Sequence, residues 1–329
     1  MIVYQGRVWK VNGMIVSRRK LITAISALSL AKAFAFDGAD ITVGITVDTR
    51  PDWNGPEHFV RSIQEASADG YHWIETFWQY VAPWETKPEE LKEMLDKLNL
   101  RLETVSNGGN MRTDFGDASQ RQSVIEDHMK LVRFIQKFGC DHLKINCGSR
   151  VSVAPANRAK LYKQMSATFD EIGQRMNDLG MKFAVHAHLG SNLQTREDVD
   201  AILEETNPKY VYFVLDTGHI TMAGMDPVEL TRTYRTRIIE YHLKDVDPKN
   251  RGGYKGPELK NGAYNTSPDN VIFFPLGKGG VDFPQILSIL NANRWKGWFT
   301  VELDRTTTTA KHDAATSKSY LENVLHLKV

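Results

Sequence analysis

The run Phe183-Ala184-Val185-His186-Ala187-His188 sets two imidazoles two residues apart. Side chains alternate along an extended chain, so His186 and His188 share one face while Val185 and Ala187 take the other. Three later apolar runs also close on polar groups. Val211-Tyr212-Phe213-Val214-Leu215 leads into Asp216-Thr217-Gly218-His219. Ile238 to Asp245 puts Glu240, His242 and Lys244 on one face, and Trp298 to Asp304 puts Thr300, Glu302 and Asp304 together. Imidazoles mixed with carboxylates form a donor set that Mn²⁺, Zn²⁺, Co²⁺ or Fe²⁺ accepts, and a shell left open on one side is catalytic. A single strand histidine is more often a packed core or rim residue. Four successive runs ending in such groups are different, because each unpaired buried charge costs several kcal/mol or is neutralised by a shifted pKa. A divalent cation resolves that cost.

Those runs belong to a longer alternation. From Ile41 onward, eight short β-branched or aromatic stretches alternate with segments of helical period, which predicts repeated βα units around a parallel sheet. The predicted strands are Ile41–Val47, His72–Thr76, Arg101–Val105, His142–Asn146, Lys182–His188, Tyr210–Leu215, Ile238–Leu243 and Trp298–Leu303. The predicted helices are Glu57–Ala68, Pro88–Leu98, Ser119–Phe138, Ala156–Leu179, Thr195–Glu204, Pro227–Thr233, Phe283–Asn293 and Ala310–His326. Gly70, Gly139 and Gly180 each punctuate a helix before a strand. The expected fold is a single α/β (β/α)8 TIM barrel over residues 36–329, in which functional groups come from the C-terminal strand ends. The connection from Asp245 to Asp282 is far longer than such units need and reads as a lid over the barrel mouth.

Composition narrows the partners. Of 329 residues, 41% are hydrophobic and 25% charged, enough apolar material for a sizeable core. The 41 basic and 40 acidic side chains leave a net charge of +1, which excludes a field that draws in nucleic acid and favours a small substrate. Two cysteines, Cys140 and Cys147, are too few for a disulfide framework and read as inert thiols beside one strand. Residues 1–35 read as an N-terminal extension. Within it, Arg18-Arg19 precede an apolar run from Thr23 to Ala31 and the small-x-small site Ala33-Phe34-Ala35, which resembles a twin-arginine export signal. The run is too short for a permanent membrane anchor. A periplasmic or secreted location is therefore expected, with a frayed helix on a cytoplasmic protein as the other reading.

The combination of Asp216-Thr217-Gly218-His219, His242-Leu243-Lys244-Asp245 and Gly297-Trp298-Phe299-Thr300-Val301-Glu302 resembles the xylose-isomerase-like barrel superfamily of sugar isomerases, epimerases and dehydratases. Tyr71-His72-Trp73-Ile74-Glu75 is similar to that family's second strand, and His186-Ala187-His188-Leu189-Gly190 most resembles its inosose dehydratase branch. The resemblance implies metal ligation by Asp216, His242 and Glu302, with Mn²⁺ the foremost ion and Zn²⁺, Co²⁺, Fe²⁺ or Mg²⁺ as others. Many members carry a glutamate where His186 stands. Either His186 is the fourth ligand, the favoured reading, or water takes that place and His188 meets substrate. Substrate contacts are expected from His219, Lys244, Lys144 and Trp78, the last among the aromatics Trp53, Trp78, Tyr80 and Trp84 that follow the first two strands and could stack on sugar rings.

The implied chemistry is proton abstraction beside a carbonyl of a keto-sugar, keto-glycoside or inosose, with His188, Glu302 and Glu75 as candidate proton carriers. Loss of a β-oxygen makes a lyase or dehydratase, the favoured outcome; reprotonation makes an isomerase or epimerase. A sugar-binding barrel without chemistry is the further alternative. Related barrels that cut abasic DNA need a basic groove, which the neutral charge argues against. Family analogy points to a homo-oligomer.

Overall fold

The computed structural model describes residues 2–5, 8–11, 14–16, 40–47, 56–254, 273–302 and 309–329. The arginine pair and the apolar run behind it, with Trp53, Leu303 and Asp304, lie outside the described residues. All eight expected βα units are present: β1 (Ile41–Thr46), α1 (Pro56–Ala68), β2 (Trp73–Phe77), α2 (Pro88–Lys97), β3 (Arg101–Ser106), α3 (Arg121–Gln136), β4 (His142–Asn146), α4 (Pro155–Asn177), β5 (Lys182–His186), α5 (Arg196–Glu205), β6 (Val211–Asp216), α6 (Pro227–Tyr234), β7 (Ile238–Leu243), α7 (Phe283–Ala292), β8 (Gly297–Val301) and α8 (Ala310–Asn323). The strands run parallel in the order β3-β2-β1-β8-β7-β6-β5-β4. The sheet's two ends meet where Thr104 Oγ1 donates to the His142 carbonyl at 2.9 Å, so the barrel is nearly closed.

Each strand is covered by helices outside and packed on the axis inside, which is why β7 is buried along its whole length. Helix boundaries follow local chemistry. Thr195 and Asp198 form a reciprocal capping box on α5, while Gly139 (φ 77°) and Gly180 (φ 73°) supply the left-handed residues that end helices before β4 and β5. Cys140 and Cys147 flank β4 as buried free thiols. Among the described residues no helix is long and apolar enough to cross a membrane.

Three features depart from the sequence expectation. Strand β5 stops at His186, because His188 turns away: its N–H donates to the Leu193 carbonyl and its own carbonyl accepts from Ser191 N. A six-residue helix, Thr217–Met222, follows β6 at once, capped by the Asp216 carboxylate through His219 N at 2.8 Å. Residues Ile2–Gln5, Val8–Val11 and Met14–Val16 pair as a three-stranded antiparallel meander where no element was expected.

Of the connection after β7, Asp245–Val246 pairs antiparallel with Phe273–Phe274, and residues 255–272 lie outside the described residues. One carboxylate organises its return. Asp245 accepts hydrogen bonds from Gly277 N, Gly279 N and Val281 N at 2.8 to 3.0 Å.

Two buried contacts give measurable consequences. Gly173 sits inside α4, where alanine would ordinarily gain about 1 kcal/mol. A Cβ there would lie 2.4 Å from the Tyr210 carbonyl oxygen, which is backbone and cannot swing aside. Gly173→Ala is therefore expected to destabilise the barrel by about 1–3 kcal/mol in urea unfolding; a gain would contradict the close approach. His128 in α3 is fully buried, donates Nδ1–H to the Val124 carbonyl at 2.7 Å and meets Asn107 Nδ2 at 3.3 Å. Burial pulls its pKa down to about 4. The unfolded chain thus binds more protons between pH 6.5 and about 4, and this contribution to stability is lost as pH falls through that window. Unfolding midpoints should fall less steeply in that range for His128→Gln than for the parent; identical slopes would contradict a neutral buried imidazole.

Candidate metal centre

Strand register assembles the site. Pairing sets His242 opposite Asp216 across β7 and β6, and Asn146 opposite His186 across β4 and β5. Glu302 follows the last residue of β8. One donor atom each from His186, Asp216, His242 and Glu302 lies within 4.8 Å of the others, and all four residues are buried. His186 Nε2 is 3.4 Å and His242 Nδ1 3.8 Å from Asp216 Oδ2, and His242 Nδ1 is hydrogen-bonded to Glu302 Oε2. Asp216 divides its labour: Oδ1 caps the helix that follows and Oδ2 faces the cluster.

Outer contacts prepare each donor. Asn146 Oδ1 accepts from His186 Nδ1 at 2.7 Å, leaving Nε2 as the nitrogen with a lone pair toward Asp216. Asn107 holds the Asn146 backbone from both sides, through Nδ2 to its carbonyl and Oδ1 to its N–H. Burial, and then the Lys144 charge, keep His186 well below the ordinary histidine range, so it stands neutral as a ligand must. Burial works against a charged His242, but Glu75 and Glu302 outweigh it and hold that ring well above the usual range, so ligation through Nδ1 would displace a proton. Glu302 is held well below its ordinary range, since Lys244 and His242 overcome the effect of burial. Asp216 is pushed up, by burial first, with Glu302 adding to it and Lys244 opposing.

The donor chemistry fits a divalent ion. Two imidazole nitrogens and two carboxylate oxygens converge, and positive charge is already favoured there: Lys244 Nζ sits 3.1 Å from Glu302 Oε2 and 3.4 Å from Asp216 Oδ2.

The remaining sequence candidates fall around this quartet. His188 is the half-buried member, with its ring 3.7 Å from that of His219 and 5.6 Å from that of His186. Its Nδ1–H donates to the Leu189 carbonyl at 2.6 Å, which leaves Nε2 as its basic nitrogen, and burial lowers its pKa to about 4. His219 is buried, 3.0 Å from Lys244 Nζ and edge-on to Phe273, whose ring also lies 4.7 Å from that ammonium. Glu75 and Lys144 are fully buried and paired at 2.6 Å, with Glu75 Oε2 2.8 Å from His242 Nε2; both therefore sit beneath the quartet. Trp78 takes another place: only 6% exposed, it packs edge-on against Phe134 in the core. Tyr80 stacks on His58, and Trp84 is buried against Phe59.

Sequence reasoning missed Asn146 as the partner of His186, although a polar residue closing β4 was its signal. It also missed a deeper layer formed by Glu103, His142, Glu240 and Thr300. Thr300 Oγ1 donates to Glu103 Oε1 at 2.7 Å, and His142 Nε2 meets Glu240 Oε2 at 3.0 Å. Burial, with Glu240 and Glu75 nearby, drives Glu103 well above the carboxylate range, against the opposing pull of His142 and Thr300.

Comparisons with known proteins agree with this architecture. An inosose dehydratase from Clostridium botulinum (strain Alaska E43 / Type E3) is 34% identical over 136 residues, 41% of this chain and 45% of that protein. The first such matches thus span about half the length of the curated relatives. A longer one, to an inosose dehydratase from Clostridium beijerinckii, is 24% identical over 276 residues and covers 80% of this chain and 88% of that protein. Among solved structures, the IOLI protein with a bound zinc atom is similar with a TM-score of 0.63 at 17% identity, covering 86% of this chain and 97% of that one, a likeness of fold. Residues 63–324 match the family described as the xylose isomerase-like TIM barrel, and the chain belongs to that family.

Proposed function

We propose that the protein is a divalent-metal-dependent carbohydrate lyase or dehydratase acting on a keto-sugar, keto-glycoside or inosose. The observation that carries this reading is the buried quartet His186, Asp216, His242 and Glu302 at the C-terminal strand ends, with half-buried His188 beside it. The name shared by the curated relatives supports the dehydratase outcome, and the zinc in one structural neighbour supports a resident ion. Mn²⁺ and Zn²⁺ are the foremost candidates for this mixed donor set.

A bound divalent ion supplies Lewis acidity, stabilising negative charge that develops at a substrate carbonyl as a neighbouring C–H is deprotonated. His188 suits the role of base: Leu189 orients its ring, and its depressed pKa keeps Nε2 unprotonated at neutral pH. Lys244 and His219, 3.0 Å apart beside the quartet, are the groups assigned to meet substrate hydroxyls. Elimination then breaks the bond to the β-oxygen, which leaves as water, or as an alcohol from a glycoside, with the proton that His188 removed from carbon. Glu75 and Lys144 act from below, holding His242 and balancing charge.

The same reading places the protein outside the cytoplasm through its arginine pair, where oxidised sugars or glycosides suit it better than phosphorylated intermediates. Arg18→Lys with Arg19→Lys is expected to stop export, measured by cell fractionation, and unchanged fractionation would return the protein to the cytoplasm. For the chemistry, proton NMR in D₂O on inososes, 3-keto-glycosides and simple ketoses should show loss of a hydroxyl or aglycone. Asp216→Ala and His242→Ala should abolish both turnover and metal uptake. Deuterium incorporation without elimination would make the protein an isomerase or epimerase, and full activity in either variant would remove the mechanism.

A further inference from the structure

Beneath the quartet, a string of side chains runs up the barrel from its closed end. Asp141 lies at the N-terminal end of β4 with 57% of its side chain exposed, and its Oδ1 accepts from His142 Nδ1 at 2.7 Å. His142 is only 1% exposed and turns its other nitrogen inward, where Nε2 meets Glu240 Oε2 at 3.0 Å. Glu240, fully buried, passes the contact on: its Oε1 is 2.9 Å from His242 Nε2 and lies 3.2 Å from Thr300 Oγ1.

The far end of the string bears on the centre through one ring. His242 turns Nδ1 toward Asp216 and Glu302, the side on which an ion would be held. An imidazole that ligates through one nitrogen carries its proton on the other, and the acceptor for that proton sets both ring orientation and donor strength. The acceptors at Nε2 are Glu240 and Glu75. Glu75 is paired with Lys144, whereas Glu240 stands two residues from His242 on the same strand and meets His142 on β4, so it is the acceptor that links His242 to the closed end of the barrel.

We propose that Asp141, His142 and Glu240 form a positioning string that fixes the tautomer and orientation of His242 from the closed end of the barrel and thereby sets the affinity of the centre for its ion. The proposal rests on the metal reading above. It makes a half-exposed aspartate on the face opposite the barrel mouth a determinant of metal binding without touching the ion.

Titration of Mn²⁺ and Zn²⁺ into the chelator-treated full chain by calorimetry, with the visible spectrum of the Co²⁺-loaded protein, tests it. Glu240→Gln should weaken binding by roughly 10–100-fold, with smaller losses in His142→Gln and smaller again in Asp141→Asn. The Co²⁺ bands should shift in the first two variants, a change that loss of fold stability alone does not produce. Glu103→Gln alters the same layer, reaching Glu240 through Thr300 Oγ1, and should leave affinity and spectrum unchanged. If Glu240→Gln fails to fold, His142→Gln and the surface variant Asp141→Asn test the string. Unchanged affinity and spectrum in the folded variants, or an equal loss in Glu103→Gln, would overturn the string while leaving the metal reading intact. A parent chain that binds none of the three ions would remove both.

Discussion

The structure depends on neutralising carboxylates that the barrel buries away from solvent. Glu75, Glu103, Asp216, Glu240 and Glu302 are all buried around the axis, with Lys144, Lys244, His142 and His242 among them. Moving such charges out of water costs several kcal/mol each, which pairing recovers only with good geometry and complete hydrogen bonding. The barrel meets that condition in two layers. Below, His142 and His242 hold Glu240 well under the usual carboxylate range, while burial and the neighbouring acids push Glu103 well above it. Above, Lys244 and the imidazoles face Asp216 and Glu302, in a donor geometry suited to a metal ion.

The fold answers to that arrangement. Register between β6 and β7 brings His242 to Asp216, and it shifts between Ile238 and Glu240, just before the inward-facing acid. A second shift, between Ile74 and Glu75 where β2 pairs with β3, accompanies the other acid at His242. Gly44 in β1 makes room for the lower layer, since a Cβ there would fall 2.1 Å from Glu103 Oε2. The short helix after β6 lets Asp216 spend one oxygen on the backbone and the other on the site. These devices belong to the chain itself and require no added group to be understood.

The eight βα units were legible because strand and helix periods alternate without interruption, and the quartet because its members close apolar runs. Strand five was read two residues too long, since alternation continues through His188 while the backbone has already turned to bond Ser191 and Leu193. Trp78 follows a strand end, as a sugar-stacking residue would, yet a large ring next to a helix face found Phe134 first. The lower layer was hidden for a different reason. Glu103 and His142 lie on strands that carry several polar residues each, Thr300 was seen only beside Glu302, and closure of the barrel is what shows that three strands deliver them to one place. Glu240 was seen to share a face with His242, but its link to His142 depends on strands that are 98 residues apart in sequence.

On the proposed function, one ion belongs among His186, Asp216, His242 and Glu302. Anomalous scattering from crystals grown with Mn²⁺, collected on both sides of the manganese edge, locates it directly. A single strong peak per chain is expected within coordination distance of His186 Nε2, Asp216 Oδ2, His242 Nδ1 and Glu302 Oε2. No peak there, with manganese found elsewhere on the chain or nowhere, would contradict it.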